Sequence, residues 1–387
     1  MDFQLSEELQ MLKDMARDFA KEKIAPFADE WDEKHYFPHE EVIKPMGELG
    51  FFGTVLPEEF GGNNMGWLAG IILTEEIARA SSSVRVQMNM QGFGCAYTIF
   101  RYGTDALKKK YIPKLVSGEW IGGFAITEPN AGSDVMSLKS TADDKGDHWV
   151  INGSKTWISN ASAADVLIYY AYTDKNAGGK GLSAFVLEPK NSNGVTTTDL
   201  DKLGTRSTPT GEVYCEDTKV PKANILGKPG DGAKIVFGSL NQTRLSAAAG
   251  GVGLAQAALD SILTYAMERE QFGQAIGNFQ MIQEMVGSIV PQIEAARLMV
   301  YKAAVQKDKG ELGNTLEVAM AKYLAGEVAM KAAEYAMRIL GAYGYSTEYP
   351  VARYFRDAPP YFMVEGSSNV CKMIVATDQL GIRKANK

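Results

Sequence analysis

The sequence predicts an α+β protein of several layers, with a helical N-terminal domain over residues 1–122, a middle β domain over 123–230 and a helical bundle over 231–387. Three observations carry this prediction. Apolar residues recur at helical spacing up to about Val116. Short runs rich in β-branched and aromatic residues, separated by polar turns, then replace them. After Gly232, long amphipathic stretches rich in Ala and Met follow with few helix breakers.

Composition narrows the class of protein before any motif is considered. A chain of 387 residues with 45% hydrophobic and 22% charged residues is typical of a globular protein with two or three domains, or one large multi-layer domain. The formal net charge of −7 disfavours a nucleic-acid partner. No apolar run reaches the length of about 18 residues that a membrane span needs. We therefore expect neither a nucleic-acid partner nor a membrane span.

The numbers and spacing of cysteine and histidine indicate the redox state of the compartment and whether a metal site is expected. The three cysteines are widely spaced and form neither a metal-ligand pattern nor a disulfide framework, which fits a reducing compartment. The three histidines are scattered, so no metal site is predicted. The N-terminal residues Met1 to Glu8 are predicted to lead directly into a helix, without a signal or transit segment. These features together predict a cytoplasmic protein.

The first domain is predicted to consist of helices. Ser6 precedes the first helical pattern as a candidate N-cap. Another helix is predicted over Gly66–Ala80, and Ser81 to Ser83 are expected to interrupt it and to cap a further helix that runs through Tyr97. A short amphipathic helix rich in Lys follows over Leu107–Leu115.

Five β-rich runs at short spacing predict the middle domain. They are Gly122–Thr127, Trp149–Ser154, Val166–Tyr172, Leu182–Leu187 and Gly211–Val220. Because no helical pattern separates them, we expect an antiparallel barrel or sandwich of about 100 residues.

Three long helical patterns predict the last domain. They cover Ile235–Met267, Met281–Lys307 and Leu316–Leu340. Helices of this length with two apolar faces pack in a bundle, and we expect some of these faces to pack across subunits.

One carboxylate near the C-terminus is a candidate base. Glu365 follows the apolar run Tyr361–Val364 and precedes Gly366. Apolar surroundings disfavour the charged form of a carboxyl group, and a carboxylate tuned in this way can take up a weakly acidic proton near neutral pH. Gly366 would allow a main-chain N–H to approach a ligand closely. On this stretch alone, a glutamate that simply faces water remains an open alternative.

Four further motifs combine aromatic, polar and glycine residues. The first ends in a loop whose N–H groups and hydroxyls suit a flat polar ligand, although ordinary turn chemistry explains each of the first two motifs equally well on its own. The four motifs are Phe124–Asp134, Trp157–Asn160, Arg269–Gly273 and Gly341–Tyr345. In order and spacing they resemble the motifs of the acyl-CoA dehydrogenase family of flavoenzymes, and the resemblance covers essentially the whole chain. It implies the fold of that family, with a four-helix bundle at the C-terminus, and it implies FAD as the cofactor.

The resemblance also implies which residues bind FAD. Phe124, Ile126 and Thr127 match the strand that meets the flavin ring. Trp157 and Ser159 match the pair of residues that packs on the ring and reaches its N5 edge. The arginine that crosses a subunit interface to a neighbour's FAD diphosphate is matched by Arg269, whose fork suits that group. The remaining matched positions are Phe272, Gln280, Arg338, Gly341, Ala342, Ser367 and Asn369. The last two stand where the commoner pattern has Thr and Gln, which keeps a hydroxyl and an amide.

Glu365 falls on the position of the main family's catalytic base. Some relatives carry the base on an earlier helix, where Thr243 stands here and cannot serve. The resemblance implies that Glu365 removes the α-proton of an acyl-CoA thioester while a hydride passes from the β-carbon to the flavin. The Glu365 N–H would help to stabilise the developing enolate. The resemblance further implies an electron-transfer flavoprotein as electron acceptor. Through Arg269 it also implies a homotetramer.

Arg85 gives the clue to the acyl chain. It lies in Ser81–Asn89, which resembles the branch of the family that acts on glutaryl-CoA, where an arginine at this place pairs with the distal carboxylate of the substrate. A buried cation without a partner is costly, so an arginine in the pocket implies an anionic ligand group. The predicted substrate-binding residues are Arg85, Asn89, Ser133, Asn241, Arg244, Val364 and Gly366.

Three departures from that branch bear on decarboxylation. Its decarboxylating members carry Tyr, Glu and Ser where this chain has Val364, Ala78 and Val86. With these three positions apolar, Arg85 would hold the distal carboxylate as a salt-bridged anion, which opposes the loss of CO2. We therefore expect glutaconyl-CoA as the released product.

Two alternatives stay open. A short-chain enzyme acting on a neutral, butyryl-like chain would leave Arg85 facing solvent. A flavin-binding relative without dehydrogenase activity would not need Glu365.

Overall fold

The computed structural model describes residues 4–382, and its N-terminal part is helical as predicted. The first helix is capped by Ser6, whose hydroxyl oxygen accepts a hydrogen bond from the Leu9 N–H at 3.3 Å. The expected direct entry into a helix also covers Met1 to Phe3, which lie outside the described residues. The helices of this part are α1 Glu7–Lys23, α2 Ala28–Lys34, α3 Lys44–Glu48, α4 Trp67–Ala80, α5 Ser82–Gln87, α6 Tyr97–Tyr102 and α7 Asp105–Val116.

Ser81 separates α4 from α5, and its hydroxyl oxygen accepts a hydrogen bond from the Val84 N–H at 3.3 Å. The predicted capping function of this serine run is therefore confirmed. Between α5 and α6 the chain forms a π-helical stretch, Met88–Ala96, which we call the π segment. A π-helical turn inserts an extra residue into a helix and changes the direction of the side chains that follow. Every residue of the π segment is buried.

The middle part is a sheet of eight strands. The strands are β1 Gly122–Ala125, β2 Thr141–Asp144, β3 His148–Ser159, β4 Val166–Tyr172, β5 Leu182–Leu187, β6 Val195–Asp199, β7 Thr210–Pro221 and β8 Ile225–Leu226. Neighbouring strands follow the order β6-β7-β3-β2-β4-β5-β8, and β1 pairs with β4 outside this path. Of these strands, β2, β6 and β8 have no counterpart among the five predicted runs.

The pairing is not antiparallel throughout, which corrects one detail of the sequence analysis. β1 runs parallel to β4, with Gly122 opposite Val166 and Ala125 opposite Tyr169. β2 also meets β4 in parallel, through Thr141 and Tyr172. The remaining pairs of this sheet are antiparallel. The physical reason lies in the path of the chain. In sequence, the antiparallel strands β2 and β3 come between β1 and β4, and the two reversals of direction leave β4 running parallel to β1.

The C-terminal part is the predicted helical bundle. Its elements are α8 Gly232–Glu268, the small hairpin β9 Glu270–Gln271 and β10 Gln274–Ala275, α9 Gln280–Asp308, α10 Thr315–Leu340, α11 Ala342–Tyr345, α12 Val351–Asp357, α13 Pro360–Met363 and α14 Ser368–Gln379. α8 is the central helix, and every residue from Asn241 to Ala255 is buried. It packs against α4, α9 and α10, while α14 packs on α10. No helix within residues 4–382 is long and apolar enough to cross a membrane.

A carboxylate from the bundle caps a helix of the N-terminal part. Asp308, the last residue of α9, accepts hydrogen bonds from the N–H groups of Trp67 at 2.6 Å and Leu68 at 3.0 Å. These are the first N–H groups of α4, which have no partners within the helix. A Cβ on Gly66 would lie 2.6 Å from Oδ1 of Asp308, and Gly66 has a φ of +97°, so glycine is required there.

We expect Asp308→Ala to lower the free energy of unfolding by about 1–2 kcal/mol, because two N–H donors at the start of α4 lose their capping acceptor. Urea denaturation followed by circular dichroism measures this. The matched control is Asp105→Ala, which removes an exposed carboxylate from the first turn of α7 and is expected to change stability by about 0.5 kcal/mol or less. Equal stability of the two variants would contradict the prediction.

Candidate active site

Glu365 lies in a tight turn between α13 and α14. Its φ is +57°, and Gly366 follows with a φ of +88°. A non-glycine residue in this left-handed region costs about 1–3 kcal/mol and persists only when its surroundings fix it. Ser367 ends the turn, because its hydroxyl oxygen accepts a hydrogen bond from the Val370 N–H at 3.3 Å and caps α14.

The carboxylate of Glu365 is held by polar groups from two other elements. Nδ2 of Asn89, on the π segment, donates to Oε1 at 3.1 Å. Oγ1 of Thr243, on α8, donates to Oε2 at 2.7 Å. The apolar surroundings expected from Tyr361–Val364 are found only in part, since Tyr361 is buried whereas Val364 is 50% exposed.

Two buried cations hold the main chain of the same turn. Nε of Arg244, on α8, donates to the Glu365 carbonyl at 2.9 Å. Nζ of Lys322, on α10, donates to the Gly366 carbonyl at 2.6 Å. A Cβ on Gly366 would lie 2.8 Å from a guanidinium nitrogen of Arg244, so the close approach of this cation depends on glycine.

Arg85 is a buried cation without an anionic partner among the described residues. Its side chain is 5% exposed, and its Nε has no hydrogen-bond partner. The guanidinium lies over the ring of Tyr361 at 5.1 Å, and the Tyr361 hydroxyl is 3.0 Å from Oγ of Ser82. A Cβ on Gly250 of α8 would lie 2.7 Å from Nε of Arg85 and 2.8 Å from the Tyr361 ring. The missing side chain at Gly250 therefore provides the space in which Arg85 lies.

The strand predicted to meet the flavin ring is anchored by a buried ion pair. Nζ of Lys155 lies 2.8 Å from Oε1 of Glu128 and also donates to the Ile126 carbonyl at 3.2 Å. Burial opposes ionisation of Glu128. The charge of Lys155 and the hydrogen bonds that the Glu128 carboxylate accepts outweigh this effect, so the pKa of Glu128 is lowered overall. Burial lowers the pKa of Lys155 to about 8, so both groups are charged at neutral pH. The pair fixes the main chain at Ile126.

Next to this ion pair the backbone turns a tryptophan outward. The Thr156 N–H donates to the Thr127 carbonyl at 2.9 Å and joins the end of β1 to β3. The register between β3 and β7 shifts at this point, and Trp157 adopts a φ of +59°. Its ring is 60% exposed, which is unusual for a side chain that could be buried. Ser159, partly buried, ends β3 two residues later.

The π segment connects the Glu365 side of the site to the flavin-side strand. A Cβ on Gly94 would lie 2.6 Å from the ring of Phe124, so the ring rests directly on this segment. Gln87, one residue before it, exchanges two amide hydrogen bonds with Asn160, at 2.9 and 3.0 Å. Asn160 also donates to the Gly122 carbonyl at 2.8 Å. The structure thus brings the predicted residues of both sides to one region.

A second group of predicted cofactor residues lies apart from Glu365 in a single chain, at the outer ends of the long helices. It consists of Arg269, Phe272, Gln280, Arg338, Gly341 and Ala342. Arg269 and Tyr343 line an open cleft of about 550 Å³, and the guanidinium lies 5.5 Å from the tyrosine ring. Phe272, at the tip of the β9–β10 hairpin, is 94% exposed. Arg338 is paired with Glu334, through Nε at 2.8 Å.

Three other predicted residues have the following positions. Ser133 is exposed on the loop after β1, and Asn369 is exposed in the first turn of α14. Asn241 donates to the Leu312 carbonyl at 3.1 Å, while its Oδ1 is buried without a partner. An unsatisfied buried oxygen is rare in folded proteins and indicates that a ligand group or water completes it.

Sequence reasoning missed several residues of this site. Thr243 was considered only as a base, although it contacts the carboxylate. The sequence assigns no function to Lys322, Tyr361 or Gly250. A signal for Thr243 existed, because it directly precedes Arg244 on a helix already assigned to the site.

Comparison with known proteins defines the class of this protein. Three family models match the chain. The model "Acyl-CoA dehydrogenase, N-terminal domain" matches residues 6–119, the middle-domain model matches 123–218 and the C-terminal-domain model matches 230–380. The chain therefore belongs to the acyl-CoA dehydrogenase family. Members of this family are FAD flavoproteins, and FAD is the cofactor of this chain.

Individual relatives narrow the comparison. Glutaryl-CoA dehydrogenase of Desulfococcus multivorans is 68% identical over 389 residues, which is 100% of both chains. A solved structure of a glutaryl-coenzyme A dehydrogenase in complex with glutaryl-CoA is 67% identical, with a TM-score of 0.98 over 100% of this chain and 98% of that one. A chain in the structure of the electron transferring flavoprotein of Acidaminococcus fermentans is 39% identical, with a TM-score of 0.96 over 99% and 100%.

The described residues fit a bound FAD. Trp157 presents an exposed ring that can pack on a flat flavin, beside the hydroxyls of Thr127 and Ser159. Arg269 has no carboxylate partner among the described residues, which leaves its fork free for a diphosphate. The exposed Phe272 next to it is the kind of side chain that a ligand or a neighbouring subunit covers.

We expect Trp157→Ala to weaken FAD binding by about 10-fold, because the flavin loses the stacking surface of an aromatic ring. Titration of the apoprotein with FAD, followed by flavin absorbance, measures this. Since the ring is largely exposed, the melting temperature of the apoprotein should not change. Leu203→Ala, which removes an exposed apolar side chain elsewhere, serves as the control. Unchanged FAD affinity in Trp157→Ala would contradict the assignment.

Proposed function

We propose that this protein dehydrogenates glutaryl-CoA to glutaconyl-CoA and releases it without decarboxylation. The observation that carries the proposal is Arg85, a guanidinium that is buried and has no anionic partner among the described residues. The high identity to glutaryl-CoA dehydrogenase of Desulfococcus multivorans supports the same substrate.

Arg85 provides the binding site for the distal carboxylate. A buried guanidinium without a counter-charge is strongly unfavourable, and a bound carboxylate restores the charge balance through a bidentate pair. The Tyr361 ring below the guanidinium and the space at Gly250 fix its orientation, so the pair forms in one place. A neutral butyryl chain would leave this cation unpaired, and that cost discriminates against it.

Glu365 provides the base. Its carboxylate has fixed positions for both oxygens, because Asn89 and Thr243 each donate to one of them. When Glu365 takes the α-proton, negative charge develops on the thioester oxygen, and the Glu365 N–H stabilises that charge. When bound, FAD supplies the oxidising power by accepting the hydride from the β-carbon. The product is the 2-enoyl thioester.

Three apolar positions support the retention of CO2. Ala78 is buried on α4, and Val364 directly precedes the base. Together with Val86 they offer no hydroxyl or carboxyl group that could share or protonate the distal carboxylate. Loss of CO2 moves the negative charge from the carboxylate to carbon, and the ion pair with Arg85 stabilises the charge where it already is.

The electron acceptor and the assembly belong to the same proposal. We infer an electron-transfer flavoprotein as the acceptor, and the Acidaminococcus fermentans structure supports that partner class. The exposed group around Arg269 and Phe272 supports a homotetramer in which each chain completes the FAD site of a neighbour. The predicted cytoplasmic location is also part of the proposal.

The first test is the product. Incubation of the holoenzyme with glutaryl-CoA and an artificial electron acceptor, without oxygen, should give glutaconyl-CoA as the main product by mass spectrometry. The reason is that Arg85 retains the carboxylate as an ion pair. Crotonyl-CoA and CO2 as main products would refute the non-decarboxylating assignment. If neither glutaryl-CoA nor butyryl-CoA is turned over, the dehydrogenase assignment is refuted.

The second test is the substrate preference. Arg85→Ala should lower kcat/KM for glutaryl-CoA by about 100-fold or more, because it removes a buried ion pair with the substrate. The same variant should affect butyryl-CoA much less. Gly250→Ala keeps Arg85 but occupies its space, so it should lower glutaryl-CoA activity in the same direction. A glutaryl preference that survives Arg85→Ala would show that the carboxylate binds elsewhere.

A further inference from the structure

Lys322 holds the turn that carries the catalytic base. We propose that Lys322 is a positioning residue for the reaction: its ammonium fixes the Gly366 carbonyl and thereby keeps Glu365 in the geometry needed to abstract the α-proton. This inference rests on the assignment of Glu365 as the base under "Proposed function". It does not depend on which acyl chain is the substrate.

The surroundings of Lys322 show a cation committed to one backbone group. Its side chain is 1% exposed, and Nζ donates to the Gly366 carbonyl at 2.6 Å. No carboxylate within residues 4–382 forms a salt bridge with it. Sγ of Cys371 lies 3.5 Å from the same carbonyl and is only a weak donor. Burying an ammonium without a carboxylate is costly, so the hydrogen bond to the Gly366 carbonyl is its main polar compensation.

The turn needs an external restraint. Glu365 and Gly366 both have left-handed backbone angles, and only one of them is glycine. Arg244 holds the Glu365 carbonyl from α8, and Lys322 holds the next carbonyl from α10. Two cations on consecutive carbonyls fix both peptide planes, and therefore the direction in which the Glu365 side chain leaves the turn.

α10 also contacts the segment before the turn, one helical turn further along. A Cβ on Gly326 would lie 2.4 Å from the Tyr361 carbonyl, so α10 and α13 are in direct backbone contact there. Lys322 and Gly326 are four residues apart and lie on one face of α10. The helix thus holds the Tyr361–Gly366 segment at both ends. Tyr361 lies against Arg85 and Glu365 is the base, so α10 sets the distance between the two ends of the acyl pocket.

The charge of Lys322 adds a pH dependence that packing alone would not give. Burial, helped by the charge of Arg244, lowers its pKa to about 8 even though Cys371, Glu365 and Glu327 oppose this shift. As the pH rises through this value, the ammonium becomes an amine, which donates a weaker hydrogen bond to the Gly366 carbonyl. An arginine at this position would stay charged over the whole range.

The experiment compares Lys322→Met and Lys322→Arg with the parent holoenzyme. The first readout is exchange of the substrate α-proton with D2O in the absence of an electron acceptor, followed by mass spectrometry. It uses glutaryl-CoA, or butyryl-CoA if only neutral chains are turned over. We expect Lys322→Met to slow exchange and kcat by about 10- to 100-fold with little change in KM, because the base is displaced while binding groups remain.

Stability separates positioning from folding. Lys322→Met removes a buried ammonium and retains the length of the side chain, so its melting temperature should stay the same or rise. Lys322→Arg should recover most of the exchange rate and should lack the alkaline decline that we expect of the parent enzyme near pH 8. Lys307→Met is the matched control. Lys307 is also buried, donates to the Leu312 carbonyl at 3.2 Å and lies 5.3 Å from the Trp67 ring, and its replacement should leave kcat within about two-fold.

Three results would overturn the inference: exchange in Lys322→Met within two-fold of the parent, equal impairment of the Arg and Met variants, or loss of activity that follows a lower melting temperature. Glu365→Gln is measured in parallel. If Glu365→Gln keeps normal exchange, the base assignment itself is wrong. If it abolishes exchange while Lys322→Met does not slow it, only the function given to Lys322 is wrong.

Discussion

The site depends on one carboxylate that is held by both halves of the chain. Glu365 receives one hydrogen bond from Asn89, 276 residues earlier, and another from Thr243, 122 residues earlier. These donors lie on the π segment and on α8, so the geometry of the proposed base exists only when the N-terminal helices and the bundle are packed together. A turn with a left-handed glutamate is thereby fixed by its tertiary contacts.

Positive charge dominates the region around this carboxylate. Arg85, Arg244 and Lys322 are all buried, and none of them forms a salt bridge with a carboxylate of the described chain. Arg244 and Lys322 are satisfied by backbone carbonyls, which leaves Arg85 as the group that gains most from an anion. A pocket with this excess of positive charge favours negatively charged ligands such as a dicarboxylic thioester of CoA.

Periodicity and local turn chemistry were sufficient for much of the fold. The long helices and the Ser6 and Ser81 caps were predicted because their signals lie within a few residues of each other. β2 and β6 were missed because they are short and carry polar residues, and the parallel pairing of β1 with β4 depends on the path of the chain between them. At the site, motif similarity is sufficient to predict Glu365 as the base. The contacts of Lys322 with Gly366 and of Gly250 with Arg85 join distant segments, and no local pattern reports them.

The cap that Asp308 provides for α4 has a consequence for folding on the ribosome. The N–H groups of Trp67 and Leu68 wait for a carboxylate that is made 240 or more residues later. At typical rates of synthesis this delay is roughly 12 to 48 s. During that time the start of α4 has only water as a partner, and the N-terminal helices expose the faces that α8 and α9 later cover. The nascent chain therefore caps this helix of its first domain only after α9 of its last domain has been made.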